Sequence, residues 1–88
     1  MNLPHFSKAI TLTADMIEQR DCLRALCGDR YEKCIAPVRQ IIRGYAAEKG
    51  LQLLPATLEL CQRALENGSG GAFITLIAAV VDLMEGGK

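Results

Sequence analysis

Eighty-eight residues make one domain, and half of them are hydrophobic, so the chain can bury roughly 60% or somewhat more of its unfolded surface without obligatory staples. Ten basic and ten acidic residues cancel, which argues against a role dominated by nucleic acid or an anionic membrane, where Lys and Arg supply the affinity. No run approaches the roughly 18 consecutive apolar residues of a membrane span and no secretory leader opens the chain, so the expected compartment is the cytoplasm, of the maker or of a host.

Pro4 discourages helix in the lead-in, and Ser7 is the predicted N-cap of a first helix running from about Ser7 to Leu26. Phe6, Ala9, Ile10, Met16, Ile17, Leu23 and Cys27 recur at helical spacing, while Thr13 and Arg20 interrupt the stripe. Those interruptions leave open a break near Arg20–Asp21, with Asp21 as a second cap. Gly28 ends the segment, and the very short connection predicts an antiparallel neighbour.

Asp29 and Glu32 form a D-x-x-E start signal for a second helix over about 30–49, around which the other segments are expected to pack. Its apolar positions are Tyr31, Cys34, Ile35, Val38, Ile41, Ile42 and Tyr45, in steps of three and four. Pro37 predicts a kink, because it removes a donor and crowds the carbonyl of Lys33. Gly44 lowers helix propensity by roughly 1 kcal/mol against Ala. Close approach of another helix in the same chain is its expected reason, and contact with a partner's backbone the alternative. Lys49-Gly50 suits a left-handed C-terminal cap.

Pro55 fits the first turn of a third helix whose face is Leu58, Cys61, Ala64 and Leu65, stopped by Asn67-Gly68. The glycine-rich stretch 67–71 reads as a hinge, since it has neither the lysine nor the preceding strand of a phosphate-binding loop. A last helix over about 72–85 is apolar nearly all round, and such a helix is buried on every side. It is expected at the centre of the chain or in a dimer interface, with Phe73, Ile77, Val80, Val81 and Met84 as the self-association residues. The fold expected is all-α, a small bundle of about four helices in a single domain spanning 1–88.

The chemistry-bearing residues are sparse. Cys22, Cys27, Cys34 and Cys61 form no C-x-x-C pair, and His5 is the only histidine, so no metal, cofactor or catalytic constellation is expected. Asp15, Glu18 and Asp21 read as a solvated helix face. Tyr45 to Leu58 resembles a helix-turn-helix in placing Ala46, Gly50 and Leu51 at the turn. Glu59 falls where that motif needs an apolar anchor, and Pro55 sits inside its second helix.

Charge is unevenly spread. Residues 30–50 hold five cations against two anions, residues 1–29 three against four, and residues 51–88 two against four. Arg20 and Arg24 are four apart, as are Arg39 and Arg43, so antiparallel neighbours would gather all four into a basic patch for a partner's acidic surface. Pairing with local acids such as Asp21 and Glu48 is the plainer alternative, and exposed pairs are worth at most about 1 kcal/mol. The expected function is a non-enzymatic interaction protein, an adaptor or an inhibitor that occupies a partner's surface, in the manner of phage or mobile-element accessory inhibitors. The alternative is a small dimeric nucleic-acid-binding regulator using the Arg39/Arg43 face or the imperfect helix-turn-helix.

Overall fold

The computed structural model describes residues 13–86, which form α1 (Ala14–Cys27), a 3-10 turn (Gly28–Arg30), α2 (Tyr31–Lys49), α3 (Leu53–Glu66) and α4 (Gly70–Gly86). The fold class is all-α, with no strand among the described residues. Several helix boundaries have a local cause. α1 starts at Thr13, whose hydroxyl accepts from the Met16 N–H at 3.3 Å; this explains why Thr13 interrupts the apolar stripe. The predicted cap at Ser7 lies outside the described residues. No break occurs at Arg20–Asp21, because Arg20 is turned into the core.

The start of α2 differs from the expected capping box. Asp29 sits inside the 3-10 turn and the N-cap is Arg30, without a side-chain cap bond. Glu32 pairs instead with Arg39. Pro37 does not split α2, which runs on as one helix. The ring lies on the exposed side, where water can satisfy the Lys33 carbonyl that loses its donor. Gly50 takes the left-handed conformation (φ 67°, ψ 34°), and its N–H and that of Leu51 both return to the Ala46 carbonyl.

α3 begins before Pro55, so Leu53 and Leu54 belong to the helix and the proline occupies its first turn, where no intrahelical donor is needed. The glycine-rich stretch is mostly structured. Gly68 closes α3 with a positive φ of 73°, the Ser69 N–H donates to the Ala64 carbonyl at 2.7 Å, and Gly70 already opens α4.

α4 occupies the centre. It packs against α1, α2 and α3, and α2 also packs against α3, whereas α1 and α2 share little contact despite being joined by a single turn. Ile77, Ala78, Ala79, Val80 and Val81 are at most 1% exposed, so burial on all sides is met inside one chain. Ile35 and Ile42 of α2, Leu54 and Cys61 of α3, and Met16 of α1 complete the core around it. The predicted α2 stripe is too wide. Tyr31, Ile35 and Ile42 point inward, but Cys34 is exposed and Ile41 is 56% exposed, because the neighbours of α2 cover a narrower arc than its apolar residues span.

Candidate functional site

α4 carries two carboxylates, Asp82 and Glu85, and three arginines converge on the more buried of them, Asp82. Asp82 Oδ1 accepts from Arg20 Nη1 at 2.8 Å and from Arg24 Nη2 at 3.2 Å. Oδ2 accepts from the Tyr31 hydroxyl at 2.6 Å and from Arg39 Nη1 at 3.1 Å. A carboxylate offers about four lone-pair sites, so these four donors saturate it. Arg20 is itself fully engaged: Nε donates to Asp21 and Nη2 to Glu85, each at 2.8 Å. Arg39 also pairs with Glu32, and the Arg24 guanidinium stacks 5.2 Å from the centre of the Tyr31 ring. The cluster ties α1 and α2 to α4 through side chains, where α1 and α2 hardly touch each other.

The electrostatics follow from burial and pairing. Burial alone would lower the pKa of Arg20, but its bonds to Asp21, Asp82 and Glu85 outweigh that and hold it above the ordinary arginine value. The same balance raises Arg39, with Glu32 and Asp82 overcoming burial. Tyr31 is raised first by burial, then by its bond to Asp82 and the charge there. No buried polar side-chain atom among the described residues lacks a partner. The cluster borders an open cavity of about 460 Å³, and the Asp82 oxygens facing it already accept four hydrogen bonds. Its arginines are matched by Asp21, Glu32, Asp82 and Glu85. Its evident role is to fix how the helices sit, at a desolvation cost that only complete pairing offsets.

The expected basic patch therefore takes another form. Arg20, Arg24 and Arg39 do come together, but around Asp82, with Arg20 and Arg39 largely withdrawn from solvent and only Arg24 half exposed. Arg20 is 5% exposed, so it cannot meet a partner, and Asp21 is one of its acids as the plainer alternative had it. Arg43 stands apart on the surface of α2, with no ion-pair partner among the described residues. Asp82 was the missed residue. Its signal was legible: a charge directly after the apolar run 72–81, with Arg20, Tyr31 and Arg39 in step with core positions on the other helices.

The predicted self-association residues are also placed differently. Phe73, Ile77, Val80 and Val81 are 0–2% exposed within the single chain, and Met84 is half-buried. A dimer contact through the first four would require opening the core.

Two outward faces remain. The first is the outer side of α2, where Arg30, Lys33, Cys34, Pro37, Ile41 and Gly44 are all exposed. A Cβ on Gly44 would meet nothing within 4 Å, so the expected close approach of another helix of this chain does not occur. Arg30 and Lys33 have no ion-pair partner among the described residues. The second face is a groove of about 390 Å³ between α1 and the start of α4, bordered by Cys22, Leu23, Leu26, Phe73 and Ile74, with Glu18 on its rim. Leu26 is 85% exposed and Ile74 40%. Neither Glu18 nor the neighbouring Asp15 has a cationic partner among the described residues.

In the stretch resembling a helix-turn-helix, Ala56 is buried, as an anchor should be, but Glu59 is exposed and accepts from the Tyr45 hydroxyl at 2.6 Å. The exposed side of α3 carries Glu59 and Glu66 beside Arg63, and the Arg63 guanidinium lies 5.5 Å from the Tyr45 ring centre. A phosphate backbone would meet net negative charge there. His5 lies outside the described residues, and no group of three potential metal ligands occurs among the described ones. All four cysteines are free thiols: Cys22 and Cys34 are exposed, Cys27 is half-buried, and burial pushes Cys61 up to about 12. No described helix is long and apolar enough to cross a membrane. Compared with protein-family models, with curated proteins and with solved structures, the chain finds no match.

Proposed function

We propose that this chain is a small non-enzymatic interaction module, an adaptor or inhibitor, that lays the outward face of α2 on an acidic surface of another protein. The module is a single domain, a four-helix bundle centred on α4. The observation carrying this reading is Ile41, 56% exposed on a helix whose other side is core, with Lys33 on α2 and Arg30 at its N-cap both exposed and without an ion-pair partner among the described residues. An apolar anchor with unpaired cations toward one end of its face suits a partner patch that is apolar at one end and acidic at the other. Gly44 supports the same face, because a helix-interior glycine that nothing in its own chain needs can admit a partner's backbone. Nucleic acid is the poorer fit, since the Asp82 cluster engages Arg20, Arg24 and Arg39 in ion pairs.

The test is affinity capture from the native cell with three baits: wild type, Ile41→Asp, and Glu66→Lys as a control at an exposed position on α3. Proteins held by wild type and by the control, lost with Ile41→Asp and released by salt, would support the reading. Identical sets from all three baits would refute it.

A further inference from the structure

Resting on that reading of α2, we infer that its outward face also fits the acidic-rimmed α1/α4 groove of a second copy, so that the chain associates head to tail when no other partner holds it. The two faces are complementary and unlike. One presents an exposed Ile41 with Lys33 and Arg30 eight and eleven residues before it toward the start of α2; the other presents an apolar hollow between Leu26 and Ile74, with Glu18 on its rim and Asp15 one turn away. None of these four charged groups has an ion-pair partner among the described residues. The groove calls for a helix with an apolar ridge and cations at its edge, the usual manner in which a groove accepts a helix. Among the described helices α2 has that character. The outer side of α1 is acidic, α3 presents Glu59 and Glu66, and α4 is largely buried.

Each copy has one ridge and one groove on different helices, so the contact is heterologous. It does not close after two copies unless the geometry happens to form a ring. A groove of this size buries less than a stable obligate interface, so the association is weak and concentration-dependent. Its charged half is exposed and therefore screened by salt, over a Debye length that shrinks from about 8 Å at 0.15 M to about 3 Å at 1 M.

The experiment is light scattering on the whole chain from about 10 μM to about 1 mM, the range in which a weak contact of about 4–7 kcal/mol forms. Wild type is compared with Leu26→Asp, which disables the groove, and Ile41→Asp, which disables the ridge. Both positions are exposed enough for the variants to fold, which circular dichroism checks. The expected result is a wild-type mass that climbs past twice the single-chain 9.6 kDa, two variants that each remain monomeric, and an equal mixture of them that forms a 1:1 pair. Pairing arises because the intact ridge of one variant meets the intact groove of the other. A wild type that stays monomeric at the highest concentration overturns the inference. If Ile41-dependent capture of another protein persists in that case, only self-association is lost and the α2 reading survives. Association that the mixture fails to restore also overturns it, since a symmetric contact through one patch would behave in that way.

Discussion

Replacing Asp82 with Asn tests whether the arginine cluster holds the helices together. The substitution keeps shape but removes the charge, and it turns one acceptor oxygen into a donor that must face either Arg20 and Arg24 or Tyr31 and Arg39. Removing one member of a buried ion pair costs about 3–5 kcal/mol, because its partner stays buried without compensation. Here the lower end applies, about 3 kcal/mol by the same measure: Arg20 keeps Asp21 and Glu85, Arg39 keeps Glu32, and Arg24, with a side chain 53% exposed, can turn to water. At about 0.05–0.15 kcal/mol per residue, the whole chain is stable by only about 4–13 kcal/mol, so the loss is a large share. In urea, with a slope of about 1 kcal/mol per molar for so small a chain, the midpoint should fall by about 3 M, or the variant should already be partly unfolded in buffer. A midpoint within about 1 M of wild type would refute the structural role given to Asp82, by the same slope. The triple variant Arg20→Met, Tyr31→Phe, Asp82→Leu sharpens the test. An apolar replacement of a buried charged cluster is often neutral or stabilising, so it should recover most of the stability that Asp82→Asn loses.

Gly44→Ala should raise stability by about 1 kcal/mol, since the added Cβ meets nothing; a drop in the urea midpoint would show an unseen steric demand. Ile77→Ala, at a side chain 1% exposed in the central helix, should cost about 2–5 kcal/mol, and a loss under about 1 kcal/mol would mean α4 is not the packed centre. The alkaline limb of the stability curve follows from Cys61 and Tyr31, both held protonated by the fold. Their contribution is complete below their unfolded pKa values and is lost as pH rises through the folded ones. For Cys61 that window runs from 9.0 to about 12, a loss of about 4 kcal/mol across it. Thermal melts should therefore fall steadily above pH 9, and Cys61→Ala should flatten that fall. Equal slopes would contradict it. At neutral pH a thiol reagent should modify Cys22 and Cys34 promptly and Cys61 only as fast as the chain opens; rapid reaction of all four would place Cys61 outside the core.

The amino-acid sequence by itself determined the all-α class, the stop at Gly50 and the apolar character of the last helix. These depend on local spacing, on glycine's access to positive φ, and on a run too apolar to face water. It also carried the starts of the helices, though less sharply. Asp29-x-x-Glu32 has the composition of a capping box, but a 3-10 turn takes Asp29 and Arg39 takes Glu32, a competitor seven residues away that no local rule anticipates.

What only the tertiary structure decided is which face of each helix meets which neighbour. Seven apolar positions on α2 form a stripe wider than its neighbours cover, so Cys34 and Ile41 are left outside; periodicity gives an arc but not the width of the groove that receives it. Arg20, Arg24 and Arg39 look like a basic patch while their partner, Asp82, stands more than forty residues along the chain. A charge at a core position demands a counter-charge, but pairing across that distance depends on α4 passing between α1 and α2. The same passage buries Phe73, Ile77, Val80 and Val81 within one chain. It moves the available surface to the outer side of α2 and to the groove beside Leu26, because a central helix needs covering from every direction and its neighbours then have only their backs to offer.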